Sequence, residues 1–395
     1  MNVMTRPAMP ANGTLPFDTG KLDGLMQEYG LDALVVTSRH NVQYLLGGYR
    51  FFFFDVMEAI GTSRYLPVVV YQRGRPDDTL YLGNKMEGFG RELGHIPVPL
   101  VKTLTWGTED AMRGAADHLR ALGAKRVGIE PSFLPAEARD ALSKHLGDVK
   151  LINAQRTLER LRAIKTPAEL TAIRAASEKV TAAMQAAFAA CRPGMTKLDL
   201  VDRLRHEEQA RGLVFEYCLI TAGRSHNRAP SAQRIERGDV ISLDSGGNYQ
   251  GYIGDLSRMG VVGEPDQELR DLLTEVEVIQ QASRRAIKPG ALGREIMDAG
   301  EAALRSSPHR DVTEFTAHGI GLVSHEAPRL TATGPVPYEP DDAEQPLQPG
   351  MVISIETAIL HPRRGYIKLE DTLIVTDSGW EAPGDEPRGW TICSG

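Results

Sequence analysis

Two hairpin-like segments of this chain each place two acidic residues within otherwise apolar strands. The first, GDVISLDSGGNYQGYIGDLSRMG, contains Asp244 and Asp255, and the second, MVISIETAILHPRRGYIKLEDTLIV, contains Glu356 and Glu370. Apolar runs joined by a short turn are typical of antiparallel hairpins. The runs VISL and MVISI before the acidic residues predict strands inside a core, where an unpaired carboxylate is costly to bury.

The position of each turn predicts which residues face each other. A turn centred on residues 249–250 sets the two aspartates opposite each other, and a loop at residues 362–364 does the same for the two glutamates. Directly paired residues have Cβ atoms about 4.5–5.5 Å apart, so two bare carboxylates would repel each other there. A cation between them removes this conflict. Two such pairs in one domain favour a metal site over two solvated surface pairs.

Two histidines in the stretch HGIGLVSHEAP are candidates to complete that site. They are His318 and His325, and the neighbouring glycines allow close backbone approach. One imidazole with four carboxylates gives five ligands, a set suited to two divalent ions about 3.5–4 Å apart. Oxygen donors dominate, which favours Mn²⁺ and leaves Fe²⁺, Co²⁺ and Zn²⁺ open. His226, in TAGRSHNRAPS before the first hairpin, is a further candidate donor.

The length of 395 residues leaves room for two domains. Helix-like stretches alternate with β-branched runs up to about residue 155, which predicts an α/β domain. The segment LERLRAIKTPAEL then predicts a hinge, since Thr166 can cap a helix that starts at Pro167. An α+β half follows. The predicted domains are residues 1–160 and 161–395.

Composition argues against several classes of partner. The chain has 52 acidic against 45 basic residues, a formal charge of −7, so it offers no long-range attraction for nucleic acid. Its three cysteines form no CxxC pair, and no run of apolar residues is long enough for a membrane span or a signal peptide. These features predict a cytoplasmic protein without a membrane partner.

The motifs above resemble those of the pita-bread metallohydrolases, the family of methionine aminopeptidase, prolidase, aminopeptidase P and the metal-free creatinase. The resemblance covers nearly the whole chain and also includes NVQYLLGG near the N-terminus. It implies a creatinase-like N-terminal domain, a pita-bread catalytic domain and a homodimer. The metal ligands that it implies are Asp244, Asp255, His318, Glu356 and Glu370.

The resemblance also implies catalytic roles. His325 matches the histidine that contacts substrate or the tetrahedral intermediate, and His226 matches the histidine upstream of the first aspartate strand. A hydroxide that bridges two ions would attack the scissile carbonyl, and Glu356 or Glu370 would take the proton. The implied function is that of an Xaa-Pro dipeptidase or an aminopeptidase P-like enzyme.

Departures from the family pattern leave other functions open. Glu314 stands where proline-specific members usually carry a histidine, and Lys368 stands where they carry an arginine. Both are candidate substrate contacts, and an acid at 314 suits a cationic substrate. The alternative is therefore a creatinase-like or ectoine-hydrolase-like enzyme for a small non-peptide C–N bond. A third reading is a metal-free binding protein of the same fold.

The segment YRFFFFD at residues 49–55 is the last unusual feature. Successive side chains of a strand point to opposite faces, so four phenylalanines cannot all face inward on a strand. One reading is a core strand with a buried interface. The other is a loop that crosses a dimer interface and brings Arg50 to the partner's substrate site.

Overall fold

The computed structural model describes residues 15–59, 61–332 and 338–393. The chain divides into two compact units, the first ending at Arg162 and the second beginning at Ala163. The domain boundary predicted from the sequence lies after residue 160. Within the described ranges, none of the helices combines the length and apolar character that a membrane crossing requires.

The N-terminal unit is a mixed six-stranded sheet in the order β4-β3-β2-β1-β5-β6, covered by helices. Its elements are α1 (Thr19–Glu28), β1 (Ala33–Val36), α2 (Arg39–Leu45), β2 (Val68–Gln72), β3 (Leu80–Asn84), α3 (Gly88–Glu92), β4 (Leu100–Thr105), α4 (Thr108–Leu122), β5 (Arg126–Ile129), α5 (Ala136–Leu146), β6 (Lys150–Asn153) and α6 (Gln155–Leu161). Alternate residues of β1 enter apolar clusters on opposite faces of the sheet. The predicted α/β domain is confirmed.

The phenylalanine run is not a strand. Phe52–Phe54 form one turn of 3-10 helix, in which Phe54 is buried while Phe52 is 58% exposed. The Arg50 guanidinium binds the Asp55 carboxylate within the same segment. A role of Arg50 at a dimer interface stays a prediction.

The C-terminal unit is built on an eight-stranded sheet. Its elements are α7 (Pro167–Ala190), α8 (Lys197–Ala210), β7 (Val214–Ala222), β8 (Val240–Tyr249), β9 (Tyr252–Val262), α9 (Gln267–Ala286), α10 (Gly293–Arg305), β10 (Thr313–Gly319), β11 (Val352–His361), β12 (Gly365–Val375), β13 (Trp380–Glu381) and β14 (Thr391–Cys393). Six strands follow the order β10-β11-β12-β9-β8-β7, β13 pairs with β12, and β14 pairs with β9. The predicted α+β half is confirmed.

Helix α7 lies directly against this sheet. Thr166 and Glu169 form a capping box at its start, with Pro167 in the first turn. Its contact with β9 depends on Gly254, where a Cβ atom would come within 2.7 Å of the backbone of Ala176 and Ser177. A residue without a side chain is needed there for the helix to pack against the strand that carries Asp255.

The two hairpins differ in how well the sequence predicts their register. The pairing of Glu356 with Glu370 is confirmed. The direct pairing of Asp244 with Asp255 is wrong, because Asp244 pairs with Ser257.

The reason lies in the turn of the first hairpin. It uses Gln250 and Gly251, both with positive φ, as two-residue turns between twisted strands require. This turn lies one residue further along the chain than the predicted centre, so each partner shifts by two residues. Side chains alternate with a period of two, and the aspartates therefore stay on one face of the sheet.

Candidate metal centre

Five adjacent strands each contribute one metal-binding side chain to the same face of the sheet. These side chains, called here the five-donor cluster, are His318 on β10, Glu356 on β11, Glu370 on β12, Asp255 on β9 and Asp244 on β8. The resemblance implies the same five residues, and the structure brings all of them to this face.

The strand register aligns the cluster. Glu356, Glu370, Ser257 and Asp244 form a continuous row of paired residues across four strands. His318 and Asp255 lie two residues from that row on their own strands, which keeps them on the same face.

Part of the cluster has unsatisfied ligand atoms. One ligand atom each from Asp255, His318 and Glu370 lies within 4.8 Å of the other two. Asp255 Oδ1 and His318 Nε2 are buried and have no hydrogen-bond partner among the described residues. The His318 Nε2 atom lies 3.4 Å from Glu356 Oε1 and 3.8 Å from Glu370 Oε1. Buried oxygen and nitrogen donors left open in this way fit a divalent ion.

The rest of the cluster is bound by a lysine. The Lys368 Nζ atom lies 2.6 Å from Asp244 Oδ2, 2.6 Å from Glu356 Oε2 and 2.8 Å from Glu370 Oε2. Burial alone would lower the pKa of Lys368, but the three carboxylates outweigh burial and hold that pKa well above its ordinary value. The sequence predicts a substrate contact for this residue. The structure turns its side chain toward the ligands, because Lys368 lies two residues before Glu370 on the same strand, and the substrate contact stays a prediction.

A second cation near the cluster was not found by sequence reasoning. The Arg228 guanidinium binds the Asp244 carboxylate, and it also lies over the Tyr366 ring at 5.3 Å from the centroid. Arg228 stands two residues after His226, in the segment HNRAP. The His226 imidazole is exposed and lies 3.2 Å from the carbonyl oxygen of His361, at the turn end of β11.

His325 lies against the cluster. Its ring stacks on that of His318 with centroids 3.8 Å apart and an interplanar angle of 11°. Burial first, and then the neighbouring His318, lower the pKa of His325 to about 4. Its Nδ1 lies 3.2 Å from Ser324 Oγ, and its Nε2 is buried without a partner among the described residues.

The loop that carries His325 is fixed by a buried ion pair. Lys165 Nζ lies 3.0 Å from Glu326 Oε1, and both side chains are almost fully buried. Glu314 has a different environment, since it is exposed on β10, four residues before His318 and on the same strand face.

A network of arginines supports the cluster from the next residue of β12. Asp371 lies 2.9 Å from Arg258, 2.9 Å from Arg284 and 2.8 Å from Arg388. Burial raises the pKa of Asp371, but these guanidiniums outweigh burial and hold the pKa at about 2. Arg258 also donates to the backbone carbonyl of Glu370 at 2.9 Å. The network therefore fixes the strand segment that presents Glu370.

The buried Glu208, beside the site, should make the stability of the protein depend on pH. This side chain on α8 is fully buried, accepts a hydrogen bond from Ser245 at 2.9 Å, and has its pKa raised to about 7 by burial. A raised pKa means that the folded state holds the proton more tightly, so stability falls as pH rises from about 4.5 to about 7. We expect Glu208→Gln to stabilise the protein by on the order of 3 kcal/mol at pH 8 and by little at pH 5.

Urea unfolding at the two pH values measures this difference. The matched control is Glu178→Gln, which changes an exposed glutamate of α7 and should show no pH-dependent gain. Equal effects of Glu208→Gln at pH 5 and pH 8 would contradict the prediction.

Comparisons with known proteins agree with this geometry. The family model described as Metallopeptidase family M24 matches residues 171–377, and the model described as Creatinase/Prolidase N-terminal domain matches residues 19–164. The Xaa-Pro dipeptidase of Pyrococcus furiosus is 31% identical over 375 residues, which cover 91% of this chain and 95% of that protein. An uncharacterized peptidase of Bacillus subtilis is 25% identical over 370 residues, with coverage of 91% and 95%.

A solved structure shows the same fold. The Xaa-Pro dipeptidase from Bacillus anthracis matches with a TM-score of 0.80 at 23% identity and covers 95% of this chain and 98% of that chain. The M24 match alone spans more than half of this chain and contains the whole five-donor cluster. The resemblance inferred from the motifs, the two-domain fold and the assignment as an enzyme are thus confirmed. This chain belongs to metallopeptidase family M24.

Proposed function

We propose that this metallopeptidase hydrolyses the amide bond before proline, in Xaa-Pro dipeptides or at the N-terminus of short peptides. The observation that carries the proposal is the five-donor cluster, with one side chain from each of five adjacent strands. The Pyrococcus furiosus relative, which is named an Xaa-Pro dipeptidase, supports the choice of substrate.

Membership of the M24 family implies divalent metal ions, and the open donors fit such an ion. Asp255, His318 and Glu370 would hold it, with Glu356 beside them. A divalent ion bound there would polarise a carbonyl oxygen and lower the pKa of a bound water. We propose Mn²⁺ as the native ion, since oxygen donors dominate the set.

His325 would stabilise negative charge on the carbonyl oxygen. Its Nδ1 faces the Ser324 hydroxyl and can accept a hydrogen bond from it, so that Nε2 carries the proton. That Nε2 is buried without a partner among the described residues, and it is therefore free to donate to substrate. A fixed donor of this kind strengthens its hydrogen bond as charge develops.

Glu356 would take a proton from the attacking water and pass it to the leaving amine. Its side chain is 17% exposed, against 4% or less for the other members of the cluster that form ion pairs. A carboxylate that reaches solvent can accept a proton on one side and release it on the other. The catalytic role of His226 stays a prediction, since its imidazole contacts the backbone carbonyl of His361.

A second candidate function is hydrolysis of a small non-peptide C–N bond. It is favoured by Glu314, an exposed acid on the strand face of His318. Substrate contacts by Arg50, Glu314 and Lys368, the homodimer and the cytoplasmic location stay predictions.

A substrate panel separates the two functions. With Mn²⁺ present, we expect Ala-Pro and Gly-Pro to be hydrolysed and Ala-Leu, creatine and ectoine to be left intact, because the reaction is proposed to need a peptide bond before proline. Treatment with EDTA should abolish turnover, and Mn²⁺ should restore it. Hydrolysis of creatine or ectoine without cleavage of Ala-Pro would overturn the proposal in favour of the second candidate.

A further inference from the structure

Six of the eight carboxylate oxygens of the five-donor cluster fall into two sets. One set, Asp244 Oδ2, Glu356 Oε2 and Glu370 Oε2, surrounds the Lys368 ammonium at 2.6–2.8 Å. The other set faces His318 Nε2 and contains the opposite oxygens of the same glutamates, Glu356 Oε1 and Glu370 Oε1. Asp255 Oδ1, which has no hydrogen-bond partner among the described residues, belongs to the group of open donors.

The first set has its cation already. Lys368 comes from β12 and touches carboxylates of three strands, and its side chain is only 2% exposed. A transition ion would need carboxylate oxygens at about 2.0–2.2 Å. It could not bond the same three oxygens unless the ammonium first left them, and a buried lysine that leaves its three partners loses all of its charge compensation.

The charges of the site also favour a single divalent ion. The four carboxylates of the cluster carry a formal charge of −4, and Lys368 with Arg228 supplies +2. One divalent ion neutralises the remaining −2, whereas two ions with a hydroxide between them would leave an excess of +1 among groups of which most are buried. His318 adds no charge when it acts as a neutral ligand.

We propose that this protein binds a single divalent ion at Asp255, His318, Glu370 and Glu356, and that the Lys368 ammonium takes the place of a second ion. This replaces the pair of ions predicted from the sequence. The inference rests on the metal dependence in the proposed function and is independent of the choice of substrate.

The bound metal can be counted directly. The full-length protein is freed of metal with EDTA, saturated with Mn²⁺ and desalted, and manganese per chain is measured by mass spectrometry. Electron paramagnetic resonance on the same sample distinguishes an isolated Mn²⁺ ion, with its six-line spectrum, from an exchange-coupled pair. We expect one ion per chain and the spectrum of an isolated ion.

Substitution of the lysine tests its role. Lys368→Met should free the three oxygens, raise the count toward two and give the spectrum of a coupled pair, whereas Lys368→Arg should keep the count at one. The matched control, Lys288→Met, removes an exposed lysine of the same unit and should leave the count at one.

Each possible result either supports or overturns the inference of a single ion. Two ions in the wild-type protein, or one ion in a folded Lys368→Met variant, would overturn the inference. If Lys368→Met does not fold, the wild-type count still settles the number of ions. A wild-type protein that binds no ion would contradict the metal dependence as well, while one ion with no cleavage of Ala-Pro would contradict only the proposed substrate.

Discussion

Asp255→Asn is expected to reduce Mn²⁺-dependent turnover by more than about 100-fold. Removal of a group that only supports a metal ligand costs up to about 100-fold, and the loss of a ligand itself should cost more. Asp255 lies on the central strand β9, is 3% exposed, and belongs to the tightest group of donors in the site. Asparagine has the same shape but no charge, so it keeps the packing and weakens the bond to a cation.

Stability separates this effect from unfolding. In the metal-free protein, Asp255 is buried beside the carboxylates of Asp244 and Glu370. Removing one negative charge from that group relieves repulsion, so the melting temperature of the metal-free variant should equal or exceed that of the wild type. The control Asp202→Asn changes an exposed aspartate on α8 and should retain activity. Turnover of Asp255→Asn within tenfold of wild type would show that this residue is not a ligand.

Asp371→Asn is expected to lower the free energy of unfolding by about 3–5 kcal/mol, the range for breaking a buried ion pair by removal of one partner. Arg258 and Arg284 are almost completely buried and both lie 2.9 Å from this carboxylate. The loss should appear in urea unfolding at pH 7, followed by tryptophan fluorescence, since Trp380 lies in the same unit over the Arg284 guanidinium.

The pH dependence gives this prediction a second test. The pKa of Asp371 is depressed to about 2, so its stabilising effect is present above the unfolded pKa of about 4 and is lost as pH falls through about 2. Wild type and variant should therefore converge in acid. Glu344→Gln, which breaks an exposed pair with Arg294, serves as the control and should change stability little. A constant difference between pH 7 and pH 2 would contradict the account.

The sequence predicts those parts of the site that depend on local spacing. The loop at residues 362–364 is symmetric about its centre, which fixes the partner of Glu356. The first hairpin has a glycine-rich turn that is compatible with more than one register, and the structure uses the turn with two positive φ values. Helix α4 (Thr108–Leu122) likewise depends on local spacing, because its apolar positions recur on one face.

Other parts of the site depend on partners far along the chain. Arg228 and the arginines around Asp371 carry no local pattern, and their roles appear only when distant strands and helices pack together. Strand β10 did have a local signal, since residues 314–318 of TEFTAHG alternate between polar and apolar. The position of Lys368 beside the cluster also had a local indication, since it lies two residues before Glu370 and residues two apart on a strand share a face.

The pairing of Glu370 with Ser257 has a consequence for how the enzyme matures. It joins a hairpin that ends at Val262 to one that begins at Val352, and each hairpin carries only two of the acidic donors. Neither hairpin alone contains the complete set of donors. During synthesis on the ribosome, a nascent chain that does not yet include β12 lacks Glu370, so the five-donor cluster can be completed only after that strand has been translated.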